Sequence, residues 1–400
     1  YTINKGGGDL LSKMHFEIDL PAQNITNTDN TNVNDILDNY CHYTNTTAFA
    51  FLKSIEIYIG EKKIDSHDGR YYDILNELRH TDGGLDYLIN RNVEGNETIN
   101  TPNDVKLFIP LDFWFCKDIS QSLPLVALQY HDIKIKATFR SIKSIINSQY
   151  EGVIFENESE YPLSIDSTSP DKDNPKKATI KLWTNYINLD VDERKRFAQE
   201  HHEYLIEQVQ LQEREYKQYM DINLNHPVKC LYWVIQNDIA VKSREDYKLI
   251  DNLKNTFGDP TKTSYQNTWR NSNDYLNYKI HEPVNPSHLN GETKYEHFKN
   301  MKLTFNGVDR FKGRDATFFR TLQPLENNYT IPSKNIYMYS FCINPEDHQP
   351  SGSCNFSRID NFSISFTGDQ SYTDYKIYLY AKNYNVLRIM EGMGGLLYAN

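Results

Sequence analysis

Metal or acid–base chemistry would need clustered His, Asp, Glu or Cys, and a few stretches of this chain can be tried for it. His201-His202-Glu203 is the first. A zinc-binding His-Glu-x-x-His helix sets two imidazoles one turn apart so that both reach one metal. Here position 206 is Ile, and the spacing fails. Asp65, His67 and Asp68 are near-consecutive, and on a turn such residues are expected to solvate or cap rather than ligate. Cupin-type metal sites need two histidines one residue apart with a glutamate shortly after, and no such triplet occurs. Gly392, Gly394 and Gly395 do not make a GxGxxG loop and no helix is expected after them, so they predict a tight turn. No GxSxG, phosphate-binding loop or CxxC pair is present. No catalytic residue, cofactor or metal is therefore expected.

Arg358 and Asp360 pose a different question. They stand two apart in a stretch expected to be a strand, which puts them on one face together with Phe356 and Phe362. Half-buried charges there would be paired with neighbours or backbone carbonyls and hold the entering turn in place, with a subunit contact as the second reading. The five cysteines stand singly at 41, 116, 230, 342 and 354. An odd, scattered set predicts reduced, buried thiols rather than a disulfide framework. The 400 residues carry a net charge of −11, which argues against a broad phosphate-binding surface. No apolar run approaches membrane-spanning length, and a soluble chain is expected. Seven Asn-x-Ser/Thr sequons occur, as chance alone gives in so Asn-rich a sequence.

The elements that must carry these residues are mostly strands. Aromatics reach 13% with 29 tyrosines, which suits pleated, half-exposed sheets. Phe362, Ile364 and Phe366 alternate with polar residues after a Pro350-Ser-Gly turn, and Ile133, Ile135, Ala137 and Phe139 do so after Pro124. Cys116 and Cys342 each lie eight residues before those prolines, and each follows a phenylalanine. Ile55, Ile57 and Ile59 run into Gly60, with Tyr71-Tyr72 further on, much as Leu303 and Phe305 run into Gly307, with Phe318-Phe319 further on. Ile180-Lys-Leu-Trp resembles Ile377-Tyr-Leu-Tyr. Three anchors in one order predict an internal duplication, with Cys116 and Cys342 as duplicated core residues. The halves differ by polar insertions at 82–103, 140–177 and 237–299, expected as surface loops. Short helices are expected at Tyr71–Arg79 and over 192–200, the latter capped by Asp190. Each half then offers about eight short strands, so the fold class is all-β: two tandem eight-stranded antiparallel jelly rolls. The N-terminal unit is placed at 1–218, including the helix 192–200 and the strand after it. The C-terminal unit is placed at 219–400 and carries the 237–299 insertion.

Specific stretches carry a resemblance. Phe108-Ile-Pro-Leu-Asp-Phe-Trp-Phe-Cys116, Leu123-Pro-Leu-Val-Ala-Leu-Gln-Tyr-His131, Asn225-His-Pro227, Asn306-Gly307-Val-Asp-Arg310-Phe311, His348-Gln-Pro-Ser-Gly-Ser-Cys-Asn-Phe-Ser-Arg-Ile-Asp360 and Asn383-Tyr-Asn-Val-Leu-Arg-Ile-Met390 lie along nearly the whole chain. It resembles the major capsid proteins of nucleocytoplasmic large DNA viruses. It departs from them at the start, where members carry a further N-terminal segment. The resemblance implies two upright jelly rolls and a homotrimer forming a pseudo-hexagonal capsomer, located in the virion shell after synthesis in the host cytoplasm. Its implied partners are neighbouring capsomers, minor capsid and penton proteins and an internal viral membrane, with no direct nucleic acid. It also points to Gly307 and Arg310, alongside Arg358, Asp360, Cys116 and Cys342, as structural or assembly positions, and to long second-half loops as an outer tower. The alternatives are a membrane-shaping viral scaffold of the same fold and a carbohydrate-binding or hydrolytic β-sandwich, whose chemistry would need two facing carboxylates.

Overall fold

The computed structural model describes residues 1–21, 41–79, 85–91, 105–148, 178–237, 275–276, 278, 296–368 and 375–398. The first half holds β1 (Leu10–Leu20), β2 (Cys41–Tyr43), β3 (Leu52–Ile59), β4 (Lys62–His67), β5 (Val105–Pro110), β6 (Leu123–Pro124), β7 (Ile133–Phe139), β8 (Ile146–Ser148) and β9 (Thr179–Ile187). The second half holds β10 (His202–Glu215), β11 (Tyr219–Asp221), β12 (Pro227–Asn237), β13 (Asn300–Phe305), β14 (Val308–Asp309), β15 (Arg314–Asp315), β16 (Ile336–Ser340), β17 (Cys354–Asn355), β18 (Phe362–Thr367), β19 (Tyr375–Met390) and β20 (Met393–Leu396). Their pairings are antiparallel, as hairpins and long returns require.

The two halves repeat one wiring. β1 lies between β5 and β9, with β6 against its first residues; β12 lies between β16 and β19, with β17 against its first residues. In the facing sheets, β3 lies between β4 and β7, and β13 between β14 and β18. The matched sequence anchors fall on matching places. Cys116 follows β5 and Cys342 follows β16, while Ile180 and Ile377 sit on β9 and β19. Gly60 and Gly307 turn the equivalent hairpins with φ of +61° and +80°, a region that a side chain resists. The chain is a double jelly roll.

Two further strands complete the second half's sheets. β10 pairs with β19 from His202↔Ile389 to Glu215↔Lys376, and β11 pairs with β18. β10 has no counterpart among the described residues of the first half, whereas β11 has one in Tyr1–Ile3, which bridges β7 at Thr2↔Lys134, with Ile3 N–H donating to Ile133 O and Ile135 N–H to Tyr1 O. The expected seam at 218 assigned the strand after the helix to the N-terminal unit, whereas its ladder hydrogen bonds run to β19. It also touches the first half, through Val209 N–H to Asp65 Oδ1 at 3.0 Å.

Within the sheet β10-β19-β12-β16, β12 and most of β19 are buried on both faces, while β10 at the edge is mostly half-buried to exposed. Tyr232, Val234, Ile336, Met338, Tyr378 and Tyr380 point into the first half's core. Leu231, Trp233, Ile235, Tyr337, Ile377 and Leu379 point into the second half's core. Alternation therefore survives as geometry while vanishing as a polarity pattern, and β12 reads as an apolar run from Cys230 to Ile235.

The expected helices are present over Gly69–Leu78, where Asp68 accepts from Tyr71 N–H, and Val191–Gln199, where Asp190 accepts from Asp192 and Glu193 N–H. Parts of the three expected insertions lie outside the described residues. Within 237–299, however, Tyr275, Leu276 and Tyr278 are buried rather than on the surface. Tyr275 N–H donates to Thr44 Oγ1, and Tyr278 Oη donates to Asp73 at 2.9 Å, so this stretch closes the first half's core. No described helix is long and apolar enough to cross a membrane.

Because one sheet serves both cores, Trp233→Ala and Met338→Ala, on its opposite faces, should depress the same unfolding transition. The expected losses are about 3–5 and about 2–5 kcal/mol respectively. Urea titration followed by fluorescence and by circular dichroism should give coincident midpoints for each variant; two separated transitions would contradict the shared-sheet account.

Candidate assembly site

The seam between the halves is built on polar groups as well as on rings. Every residue of the helix Gly69–Leu78 is buried. Arg70 lays its guanidinium over the Tyr378 ring, 3.6 Å from the centroid, and donates to Gln236 Oε1 at 2.9 Å. Asp68 accepts from Tyr380 Oη at 2.8 Å while capping its own helix. Asp73 pairs with Lys334 at 2.7 Å, and Glu77 with Arg91 at 2.9 Å. Burial outweighs the Lys334 ammonium and leaves the Asp73 carboxyl above its usual range.

Beside this helix lies a connected group of charges. Glu207 on β10 pairs with Lys117 at 2.8 Å, with Lys382 at 3.1 Å and with Lys229. Lys382 also approaches Glu346 at 3.5 Å, which pairs with Arg79 at 2.6 Å. Arg79 in turn reaches Asp112 at 2.7 Å. Lys229 and Lys382, from the doubly buried strands β12 and β19, are 0% and 1% exposed, so neither charge is paired with water. Burial alone would raise the Glu207 carboxyl, but Lys117, Lys382 and Lys229 overcome it and hold it far below the usual carboxylate range. Glu346 is likewise raised by burial and more strongly lowered by Lys382 and Arg79. Desolvation would lower Lys382, but Glu346 and Glu207 raise it above an ordinary lysine. The arrangement fixes how the first half docks on the second. Breaking one partner of such a group leaves the others charged and dry.

The expected positions fall elsewhere. Cys116 lies in the helix Trp114–Lys117 with Sγ 3.6 Å from Ser12 O, and burial pushes its thiol up to about 12. Cys342 is buried beside Ser340 Oγ at 3.4 Å. With Cys230 and Cys354 these are free thiols. Gly307 and the exposed Arg310 lie on and just past the β13–β14 turn, which Asn306 ties to Asn361. Arg358 and Asp360 do not share a strand face. Asn355 accepts from Ser357 N–H and turns Phe356–Arg358 into a 3-10 helix, leaving Arg358 and Asp360 exposed, with no ion pair between them among the described residues. Asp65 and His67, expected on a turn, are buried on β4 and pair at 3.0 Å. No cluster of His, Cys, Asp or Glu among the described residues could hold a metal.

Sequence reasoning missed the charged network because its members are scattered from position 79 to 382. A usable signal existed, since Lys229 and Lys382 interrupt the apolar runs Pro227-Val-Lys-Cys-Leu-Tyr-Trp-Val-Ile and Ile377-Tyr-Leu-Tyr-Ala-Lys.

Residues 193–395 match the family model described as large eukaryotic DNA virus major capsid protein, and residues 1–190 match that described as major capsid protein N-terminus. The chain is 30% identical to the major capsid protein of Phaeocystis pouchetii virus, across 100% of this chain and 89% of that protein. It is 32% identical to the major capsid protein of Pyramimonas orientalis virus, across 87% of this chain and 76% of that protein. Among solved structures it is similar to a chain in a quasi-atomic model of the PBCV-1 virus capsid, with a TM-score of 0.72 at 27% identity, covering 100% of this chain and 92% of that one.

Two outcomes test the seam. Glu207→Gln should cost about 3–5 kcal/mol at pH 7, since it strands Lys229 and Lys382 in the interior. Its carboxyl is depressed in the fold, so native stability should hold from pH 8 to about 5. Stability should then fall below about pH 4.3, where the unfolded chain binds protons that the native site refuses. Urea midpoints measured across that range should fall less steeply for the variant. Arg358→Ala, by contrast, should change stability by no more than about 0.5 kcal/mol, as for an ordinary surface site.

Proposed function

This chain belongs to the family of large eukaryotic DNA virus major capsid proteins, and on that premise we propose how its geometry serves a shell. It is a structural protein of the virion, one of the subunits from which an icosahedral capsid is built. The reading for its own assembly is a homotrimer. Two similar units per chain give three chains six similar corners, so that a threefold particle meets its neighbours as though it were sixfold. The observation that carries this reading is the strand-for-strand repetition of β1, β5, β6 and β9 in β12, β16, β17 and β19. The buried seam supports it further, because a pseudo-hexagonal outline requires the two units to keep one fixed relation.

A threefold ring is made of heterologous contacts, and an obligate one buries roughly 2,000 Å² or more per interface. Neighbouring capsomers, minor capsid and penton proteins and an internal membrane are the further partners of this reading. Synthesis in the host cytoplasm goes with it. The units are divided near 218 or, following the β10 ladder, a little earlier. Arg310, Arg358 and Asp360 are exposed and available to contacts between copies.

Sedimentation velocity of the purified protein at micromolar concentration should give a species of three times the chain mass, seen as six-cornered particles by negative-stain electron microscopy. A persistent monomer would overturn the trimer.

A further inference from the structure

The internal duplication identifies which two faces of neighbouring copies meet. The contact inside the chain is directional: the helix Gly69–Leu78 of the first half sits on the outer face of the second half's sheet, with Tyr71 and Tyr380 rings 5.6 Å apart. Both sides of that contact have a second version in the same chain.

On the sheet side, the register transfers residue by residue. With Ile180 matched to Ile377, Trp183 corresponds to Tyr380. His15, opposite Trp183, corresponds to Tyr232, opposite Tyr380. Phe108, opposite Glu17, corresponds in the same way to Ile336, opposite Val234. Tyr232, Ile336 and Tyr380 are covered at the seam, at most 1% exposed. Their counterparts are less covered: Trp183 is 50% exposed, stacked on His15 with ring centroids 6.5 Å apart and donating Nε1–H to Glu17, while His15 and Phe108 are half-buried.

On the helix side, Tyr71-Tyr72 corresponds to Phe318-Phe319, and the same offset carries Leu75 to Leu322 and Leu78 to Leu325. Leu75 and Leu78 are 2% and 0% exposed, whereas Leu322 and Leu325 are 45% and 54% exposed. A helical stretch that keeps its leucines yet leaves them in water, and a sheet face that keeps its apolar positions yet leaves Trp183 half in water, have the form of two halves of one contact. Within a single chain they cannot satisfy one another, because the first half's helix already occupies the second half's sheet.

We propose that the helical stretch Phe318–Glu326 of one copy docks on the outer β9-β1-β5 face of a second copy, repeating between chains the contact that each chain makes within itself. The inference rests on the trimeric reading above and adds the surfaces, the direction of the ring and a residue pair: Phe318 against Trp183 of the next copy, in place of Tyr71 against Tyr380. Burying exposed apolar side chains against a second copy is what such patches on otherwise soluble subunits serve.

The test pairs disruption with cross-linking. Trp183→Glu and Leu322→Glu should each convert the three-chain species to single chains in sedimentation, with an unchanged far-ultraviolet circular dichroism spectrum. In parallel, Trp183→Cys and Phe318→Cys proteins are dissociated, mixed, reassembled and treated with a short bis-maleimide. The mixture should give covalent dimers well above the background that the native thiols give in the parent protein, and neither variant alone should. The variant carrying both substitutions should give a ladder ending at three chains. A trimeric parent whose variants stay trimeric, or whose mixture gives only the background, would overturn these faces while leaving the trimer standing. A monomeric parent would overturn both.

Discussion

The structure depends on two adjacent strands that have no solvent side. β12 and β19 pass between two cores, and the residues of each strand belong alternately to one core and to the other. Apolar burial on both faces gives such a pair its stability, and it leaves no room for a polar side chain that lacks a partner. The charges it does hold, Lys229 and Lys382, are satisfied by Glu207 and Glu346 and by the groups beyond them, Arg79, Lys117 and Asp112. A greasy contact between two sheets could slide; a contact that must also match four cations to three carboxylates has one register. That distinction separates two linked domains from a rigid pair, and a lattice-forming subunit needs the second.

Legibility in the sequence followed exposure. β3, β7 and β18 could be read from alternation because the faces of each differ in environment, and their glycine and proline turns marked the ends. β12 and β19 gave runs rather than alternation, since both their faces are dry, and only the repeat anchored at Ile180 and Ile377 placed β19. The strand His202–Glu215 was expected after the helix 192–200, but its pairing with β19 is a tertiary preference that no local window contains. Arg358 and Asp360 were misplaced for the opposite reason. The spacing of Phe356 and Phe362 suits a strand, but the Asn355 side chain intervenes and closes a 3-10 turn. The site itself was the least legible part, because its charges approach one another only after both halves have folded and docked.

Duplication explains why one chain can be both a finished object and an unfinished one. The contact between its halves is complete, with rings, cations and carboxylates all partnered. The repeated surfaces at its outer ends keep the shapes of that contact and not its cover. Their differences are informative: Trp183 stands where the inner version has Tyr380, His15 where it has Tyr232, and Asp68, the cap that also receives the Tyr380 hydroxyl, corresponds to Asp315, which caps its own turn. The inner version is bonded through Tyr hydroxyls, Tyr380 to Asp68 across the seam and Tyr232 to Tyr329, while the outer version is ringed by Glu17, Lys106 and Lys181 of its own sheet.

The parity of β12 has an evolutionary corollary. Substituting a residue in that strand disturbs one side, but inserting or deleting a single residue would exchange the occupants of both interiors together, sending Trp233 where Tyr232 belongs and the reverse along its length. Length changes in this lineage should therefore collect in the connecting loops, and β12 should keep its residue count long after its residue identities have drifted.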